Sequence, residues 1–244
     1  MTKGNDEMGL LILAFAASLV PSILIFVRLK KLKLSDLNYS ALCTEALKAG
    51  FFCTLPIVLT SMILNIIEVF IPFGNPVIKA AYHNFVVLAL SEEANKYIAL
   101  RRLLKKNPGD YSRLAVISFM VIVGIGFGLL EDIPYALGTN AVQMLVRGAT
   151  IMHGIYGFIL GLFVSDALVS KKPWYEAAGL VLVWMLHGLY DFTLKEEVLA
   201  LSEAVMYIPV TLALISFVLV FVLLIFVHKA EKKEKYTSLM IHLN

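Results

Sequence analysis

Seven apolar runs dominate this chain, and each approaches the roughly 20 residues a helix needs to cross a bilayer. They cover residues 8–27, 50–71, 76–103, 112–137, 141–169, 173–194 and 202–227. A soluble domain is about 45–50% apolar, whereas this chain is 59% hydrophobic over 244 residues. The expectation is therefore an all-α polytopic transmembrane helix bundle of about seven spans. It forms one membrane domain, 1–244, with a core at 76–194 and a charged tail at 228–244.

Charge sets the expected orientation. Lys and Arg gather in alternate loops: Arg28, Lys30, Lys31, Lys33 and Lys48 after the first span; Arg101, Arg102, Lys105, Lys106 and Arg113 after the third; Lys171 and Lys172 after the fifth. The tail adds Lys229, Lys232, Lys233 and Lys235, while the intervening loops hold only Arg147 and Lys195. Basic loops stay in the cytoplasm, which predicts the N-terminus outside and the C-terminus cytoplasmic. The net charge of +3 is thus a topology signal, and no nucleic-acid partner is implied. The partners expected are the lipid bilayer and a membrane-embedded substrate. The first run reads as a retained anchor, and cleavage near Ala16–Ala17 is the alternative. Residues 28–48, where Leu alternates with Lys, read as a segment along the membrane surface, and 231–236 as a solvated helix end. Cys43 and Cys53 lack any metal spacing and read as apolar fillers.

Ionisable residues inside these runs need a reason, because a charge at mid-bilayer costs roughly 2.5–3.5 kcal/mol even on lenient scales. The third run holds Glu92, Glu93 and Lys96. Glu92 and Lys96 are four residues apart and are expected to pair. Glu93 lies about 100° around the helix, with no partner expected there, which makes it a candidate for proton transfer. The fourth run carries Glu131, one helical step from Phe127, and then Asp132, read as interfacial. The fifth carries His153, and the sixth carries His187 with Asp191 four residues on, so Asp191 is placed to orient the imidazole. Gly124 with Gly128, and Gly157 with Gly161, form small faces that admit a neighbouring helix. Counted at about 1.5 Å per residue from the helix ends, the Glu pair and both histidines fall near mid-membrane. Glu131 and Asp191 fall nearer the outer side, so a cavity opening outward is expected.

The ordered set Glu92-Glu93-x-x-Lys96, Phe127-x-x-x-Glu131, the helix bearing His153, and His187-x-x-x-Asp191 resembles the PrsW family of intramembrane proteases. That family is similar to the type II CAAX prenyl endopeptidases, which carry Glu-Glu-x-x-x-Arg, a His after the second-motif Phe, and Asn in the last motif. Glu131 and Asp191 at the latter positions favour the PrsW branch. The resemblance covers 91–192 and implies an endopeptidase within the bilayer, acting in prokaryotic cell membranes on a single-span regulatory protein at its first cleavage. It also implies roles. Glu92 or Glu93 is the general base, Lys96 holds charge, and Asp191 orients His187. Glu131, His153 and His187 bind Zn²⁺, or the histidines stabilise the oxyanion with no metal. Two other readings compete: a proton-coupled transporter, which would want an internal symmetry the sequence lacks, and a non-catalytic scaffold of the same superfamily.

Overall fold

The computed structural model describes residues 3–34, 38–233 and 240–243. The elements are almost all helical. The first, α1 (Lys3–Lys30), leads to α2 (Tyr39–Phe52) and α3 (Thr54–Phe70). Next come α4 (Pro76–Tyr82), a π-helical segment (His83–Leu90) and α5 (Ser91–Lys106) without a break in the helical path. A short strand, β1 (Gly109–Ser112), precedes α6 (Arg113–Leu137), α7 (Ala141–Thr150), α8 (Met152–Ser170) and α9 (Trp174–Thr193). After α10 (Glu196–Leu199) and a 3₁₀ turn, α11 (Tyr207–Glu231) completes the helices, and β2 (Met240–Leu243) pairs antiparallel with β1.

Local sequence explains the boundaries. Asn75 caps α4 by accepting from the Val77 amide at 2.7 Å, with Pro76 at the first helical position, where its missing N–H costs nothing. Ser112 caps α6 by accepting from the Ala115 amide at 3.2 Å. Asn140 and Gln143 form a reciprocal capping box on α7. Helices α7 and α8 are separated at Ile151, whose φ of 38° and ψ of 47° are left-handed, an uncommon state for a β-branched residue.

Helix α6 is the axis of the bundle: Leu114 to Val123 are fully or almost fully buried. Its neighbours α2 and α8 approach at backbone distance, and glycine permits this. A Cβ built on Gly50 of α2 would lie 2.1 Å from the Val123 carbonyl oxygen. A Cβ on Gly157 of α8 would lie 2.5 Å from the Met120 oxygen. The small faces Gly124/Gly128 and Gly157/Gly161, expected to admit a neighbouring helix, both serve the α6–α8 crossing.

Outside this core the surface is apolar. Leu137, Phe70 and Val69 are 88%, 79% and 77% exposed, and the outer faces of α3 and α11 are apolar along their length. Such a surface belongs in lipid rather than water. Among the described residues, five segments are long and apolar enough to span: Glu7–Lys30, Tyr39–Phe70, Arg113–Leu137, Ala141–Ser170 and Glu203–Ala230. The chain is thus a multi-pass helical membrane protein. The third and sixth runs are helices too, but they hold the Glu92–Lys96 and His187–Asp191 charges and are not among these five.

The structure corrects the reading of 28–48. Instead of lying along a surface, α2 starts at Tyr39 and packs inward through Tyr39, Leu42, Cys43 and Ala46 against the core. The Tyr39 hydroxyl donates to the Leu29 carbonyl at 2.9 Å, and Lys30 donates to Thr44 at 2.9 Å, so α1 and α2 are tied at the turn. The Lys residues misled the reading because Lys48 is exposed on a helix whose other face is core. Cys43 and Cys53 are free and buried, as fillers should be. Of the tail, α11 continues to Glu231 and β2 folds back on β1, whereas 234–239 lie outside the described residues.

Candidate active site

The site begins where the π-helical segment gives way to α5. π-Helical turns are rare and concentrate at functional sites. Here one delivers Ser91, Glu92 and Glu93 into the interior, 1%, 7% and 1% exposed. Ser91 secures the junction: its hydroxyl lies 2.6 Å from the Val87 carbonyl and 2.7 Å from the Ser61 hydroxyl of α3. Two successive residues on an α-helix face directions about 100° apart. Both glutamates are buried because α5 is packed against α3, α6 and α9 at once.

Glu93, expected to lack a partner on its own helix, has one. Its Oε1 accepts from Lys96 Nζ at 2.6 Å and lies 2.8 Å from His187 Nδ1. Glu92, the expected partner, lies 3.6 Å from the ammonium at Oε2, beyond a hydrogen bond. Positions three and four apart are both neighbours on a helix, and the lysine takes the closer one. The Glu92 Oε2 atom is buried with no hydrogen-bond partner among the described residues, 3.9 Å from His187 Nε2.

From Lys96 the chain of contacts runs into α8 and α6. Lys96 Nζ lies 3.1 Å from His153 Nδ1, and His153 Nε2 lies 2.5 Å from Glu131 Oε2. An ammonium only donates, so Nδ1 of His153 accepts and Nε2–H faces Glu131. Lys96 also sits over the Phe127 ring at 4.5 Å, a favourable place for a desolvated cation. On the other side, His187 Nε2 lies 3.2 Å from Asp191 Oδ2, and the Tyr156 ring stacks on His187 at 5.1 Å. All seven sequence-predicted residues (Glu92, Glu93, Lys96, Glu131, His153, His187 and Asp191) therefore belong to one connected network.

Donor atoms of Glu92, Glu93, His153 and His187 all lie within 4.8 Å of one another. Two imidazoles with a carboxylate are a donor set that suits zinc, and this group offers both imidazoles and two carboxylates. Glu131, expected as a ligand, falls outside this group of four and is held instead by Arg147 and His153.

Arg147 is the residue the sequence reading missed. It was counted among loop charges, and Asp132 was read as interfacial. In the structure Asp132 is 8% exposed, and Arg147 forks between Asp132 Oδ1 and Glu131 Oε2, each at 2.5 Å. The available signal was a pair of adjacent acids followed by the one Arg between Arg113 and Lys171. Arg147→Ala leaves both carboxylates without a counter-charge. The expected loss is about 2 kcal/mol, between that of an exposed and a fully buried pair. Thermal unfolding in detergent, with Asp132→Asn as the second arm of a double-mutant cycle, checks it; additive effects would mean the pair is not coupled.

A cavity of about 440 Å³ borders the cluster, lined by Glu131, His153, Tyr156, His187 and Asp191. It extends to Gly138, Gln143 and Leu194, which places its mouth at the α6–α7 turn and the end of α9.

Comparison with known proteins points to one family. A family model described as PrsW family intramembrane metalloprotease matches residues 40–226. Proteins named Protease PrsW are similar at 26% identity over 158 residues in Clostridioides difficile, covering 61% of this chain and 65% of that protein. The Shouchella clausii protein of that name is 27% identical over 174 residues, 68% of this chain and 72% of its own. The Bacillus subtilis one is 33% identical over 91 residues, covering 35% of this chain and 39% of its own. The alignment with the first of these thus spans less than two thirds of that relative. No solved structure matches.

Proposed function

Because the chain belongs to the PrsW family of intramembrane metalloproteases, we propose that it is an endopeptidase that cuts a peptide bond in the membrane-spanning part of a single-span protein. First-site cleavage of a regulatory protein is the physiological form this takes. The observation that carries the reading is the convergence of Glu92, Glu93, His153 and His187 within 4.8 Å inside a helical membrane protein. The catalytic core is 76–194.

Seven spans, with the N-terminus outside, complete the reading. Residues 76–106 and Trp174–Thr193 are helices that join the five long apolar segments, and the alternation of basic loops supports the orientation. In that orientation the 440 Å³ cavity opens to the outer side and admits water to the cluster.

Glu92 is the base in this mechanism, since its Oε2 is the carboxylate oxygen left free. It takes a proton from water as the hydroxide adds to the peptide carbonyl carbon, then returns that proton to the departing nitrogen as the C–N bond breaks. Glu93 is held by Lys96 and His187 and keeps both oriented. The Lys96 ammonium, which has three N–H donors and gives them to Glu93 and His153 on one side, supplies the positive charge for the oxyanion. Asp191 fixes the His187 ring, and Glu131 fixes His153. His153, His187 and Glu93 are the residues that would hold zinc, with Glu131 the alternative third ligand. Bound there, the ion would supply Lewis-acid polarisation of the carbonyl.

The test is reconstitution of the purified protein in liposomes with a single-span reporter protein. Two fragments whose masses place the cut within the span are expected, along with zinc in the purified protein that is lost in His187→Ala. A folded wild-type protein that leaves every single-span reporter intact would overturn the reading and favour a non-catalytic scaffold.

A further inference from the structure

A second cavity also reaches the site and shares Glu131 with the first. It is a groove of about 540 Å³ between α3, the π-helical segment and α6. One wall is a single face of α3: Thr54, Ile57, Val58, Ser61, Met62 and Asn65, spaced at three and four residues. The other is the end of α6, with Phe127, Leu130, Ile133 and Pro134. Glu92 and Glu131 form its floor, and Glu131 also lines the outer cavity. Glu131 therefore stands between a polar chamber and an apolar groove, and Glu92 faces the groove, whose walls are exposed where lipid would be: Val58 47%, Met62 56% and Ile133 51%.

The groove is apolar but holds unsatisfied polar groups. Glu92 is 7% exposed, and its Oε2 has no hydrogen-bond partner. Thr54 Oγ1 is likewise buried without one. In hydrocarbon such groups are costly, because no water satisfies them. A lipid tail filling the groove would leave them so, whereas a peptide backbone offers both amide hydrogens and carbonyl oxygens. A helical substrate, however, has its backbone groups already paired, and its carbonyl carbons are screened by its own turns. Only a locally unwound segment can both satisfy these groups and offer a carbonyl to the carboxylates.

We propose that this α3–α6 groove is the docking surface for the membrane-spanning segment of the substrate, which binds there locally extended and reaches Glu92 laterally from the bilayer. The inference rests on the protease reading. It divides the site's traffic: water arrives through the outer chamber and peptide through the groove.

Full-length protein in lipid nanodiscs tests it, with a Lys-flanked single-span peptide of leucine and alanine carrying a central photoreactive diazirine as probe. Crosslinks are expected on Val58, Met62 and Ile133. The double variant Val58→Trp/Met62→Trp fills the groove and is expected to lower both crosslinking and reporter cleavage by about tenfold, as for loss of a few side-chain contacts in an apolar pocket. Leu59→Trp/Ile63→Trp, on the same helix but outside the groove and 54% and 60% exposed, is expected to leave both unchanged. Equal cleavage by the two double variants would overturn the groove while leaving the protease reading intact. Groove crosslinks with no cleavage by any variant would overturn the protease reading instead. Labelling of the groove by a diazirine-bearing lipid that the peptide fails to displace would make it a lipid cleft and also overturn the proposal.

Discussion

Glu92→Gln is expected to lower turnover of a single-span substrate by about 10²–10⁴-fold, the usual worth of a positioned acid–base group, while the fold keeps its stability. The two glutamates are adjacent yet differ in what they touch. Glu92 Oε2 makes no hydrogen bond and only a 3.6 Å approach to Lys96, so an amide of the same shape breaks little. Glu93 is different. Its Oε1 receives Lys96 at 2.6 Å and faces His187 at 2.8 Å, with Glu93 and Lys96 both 1% exposed. Glu93→Gln leaves a buried ammonium without its nearest counter-charge, and breaking such a pair costs about 3–5 kcal/mol. Glu93→Gln should therefore lose activity and stability together, and Glu92→Gln activity alone. His187→Ala should also abolish cleavage, since it removes the side chain that links Glu93 to Asp191. Cleavage rates with thermal unfolding in the same detergent read both effects. Turnover within tenfold of wild type in Glu92→Gln would remove Glu92 as the base and leave Glu93 as the candidate.

The contrast between the glutamates was not legible in the sequence, although the set of residues that the fold gathers was. Helical spacing and the cost of charge in lipid are local properties, and they singled out Glu92, Glu93, Lys96, Glu131, His153, His187 and Asp191 before any contact was known. Glycine spacing likewise marked the faces on α6 and α8 that take a close neighbour, because close helix approach has a one-dimensional signature. What one dimension does not carry is the neighbour across the bundle. Glu93 meets His187 94 positions away, and Lys96 meets His153 57 positions away. Those contacts decided which carboxylate is free. Arg147 was lost for the same reason: a lone cation between two apolar runs looks like a loop charge until α7 folds it back over Glu131 and Asp132. The α3 groove left only a faint sequence signal, the polar Thr54, Ser61 and Asn65 on one face of a mostly apolar helix, and only packing tells that this face is walled.

Gly124→Ala is the second substitution with a large expected effect, and it acts without touching a polar group. A Cβ at position 124 would lie 2.1 Å from the His153 carbonyl oxygen and 2.7 Å from its carbonyl carbon. Both are backbone atoms at the start of α8, so no rotamer change relieves the clash. The helices must separate by about 1 Å to restore ordinary contact distances. His153 sits at that point of contact, between Lys96 and Glu131, and moves with α8. A shift of about 1 Å in an active-site group costs about 10²-fold in rate, and overpacking a buried crossing costs about 1–3 kcal/mol. Gly128→Ala is the graded comparison. Its Cβ would meet the His153 ring at 3.3 Å, a side chain able to yield by a few tenths of an ångström, so a smaller loss is expected. Gly9→Ala, with nothing within 4 Å, should leave activity unchanged. Cleavage rate and thermal unfolding across the three variants should fall in that order. Wild-type turnover in Gly124→Ala would mean that the position of His153 against α6 does not set the rate, and with it the network from Lys96 through His153 to Glu131 would lose its part in the chemistry.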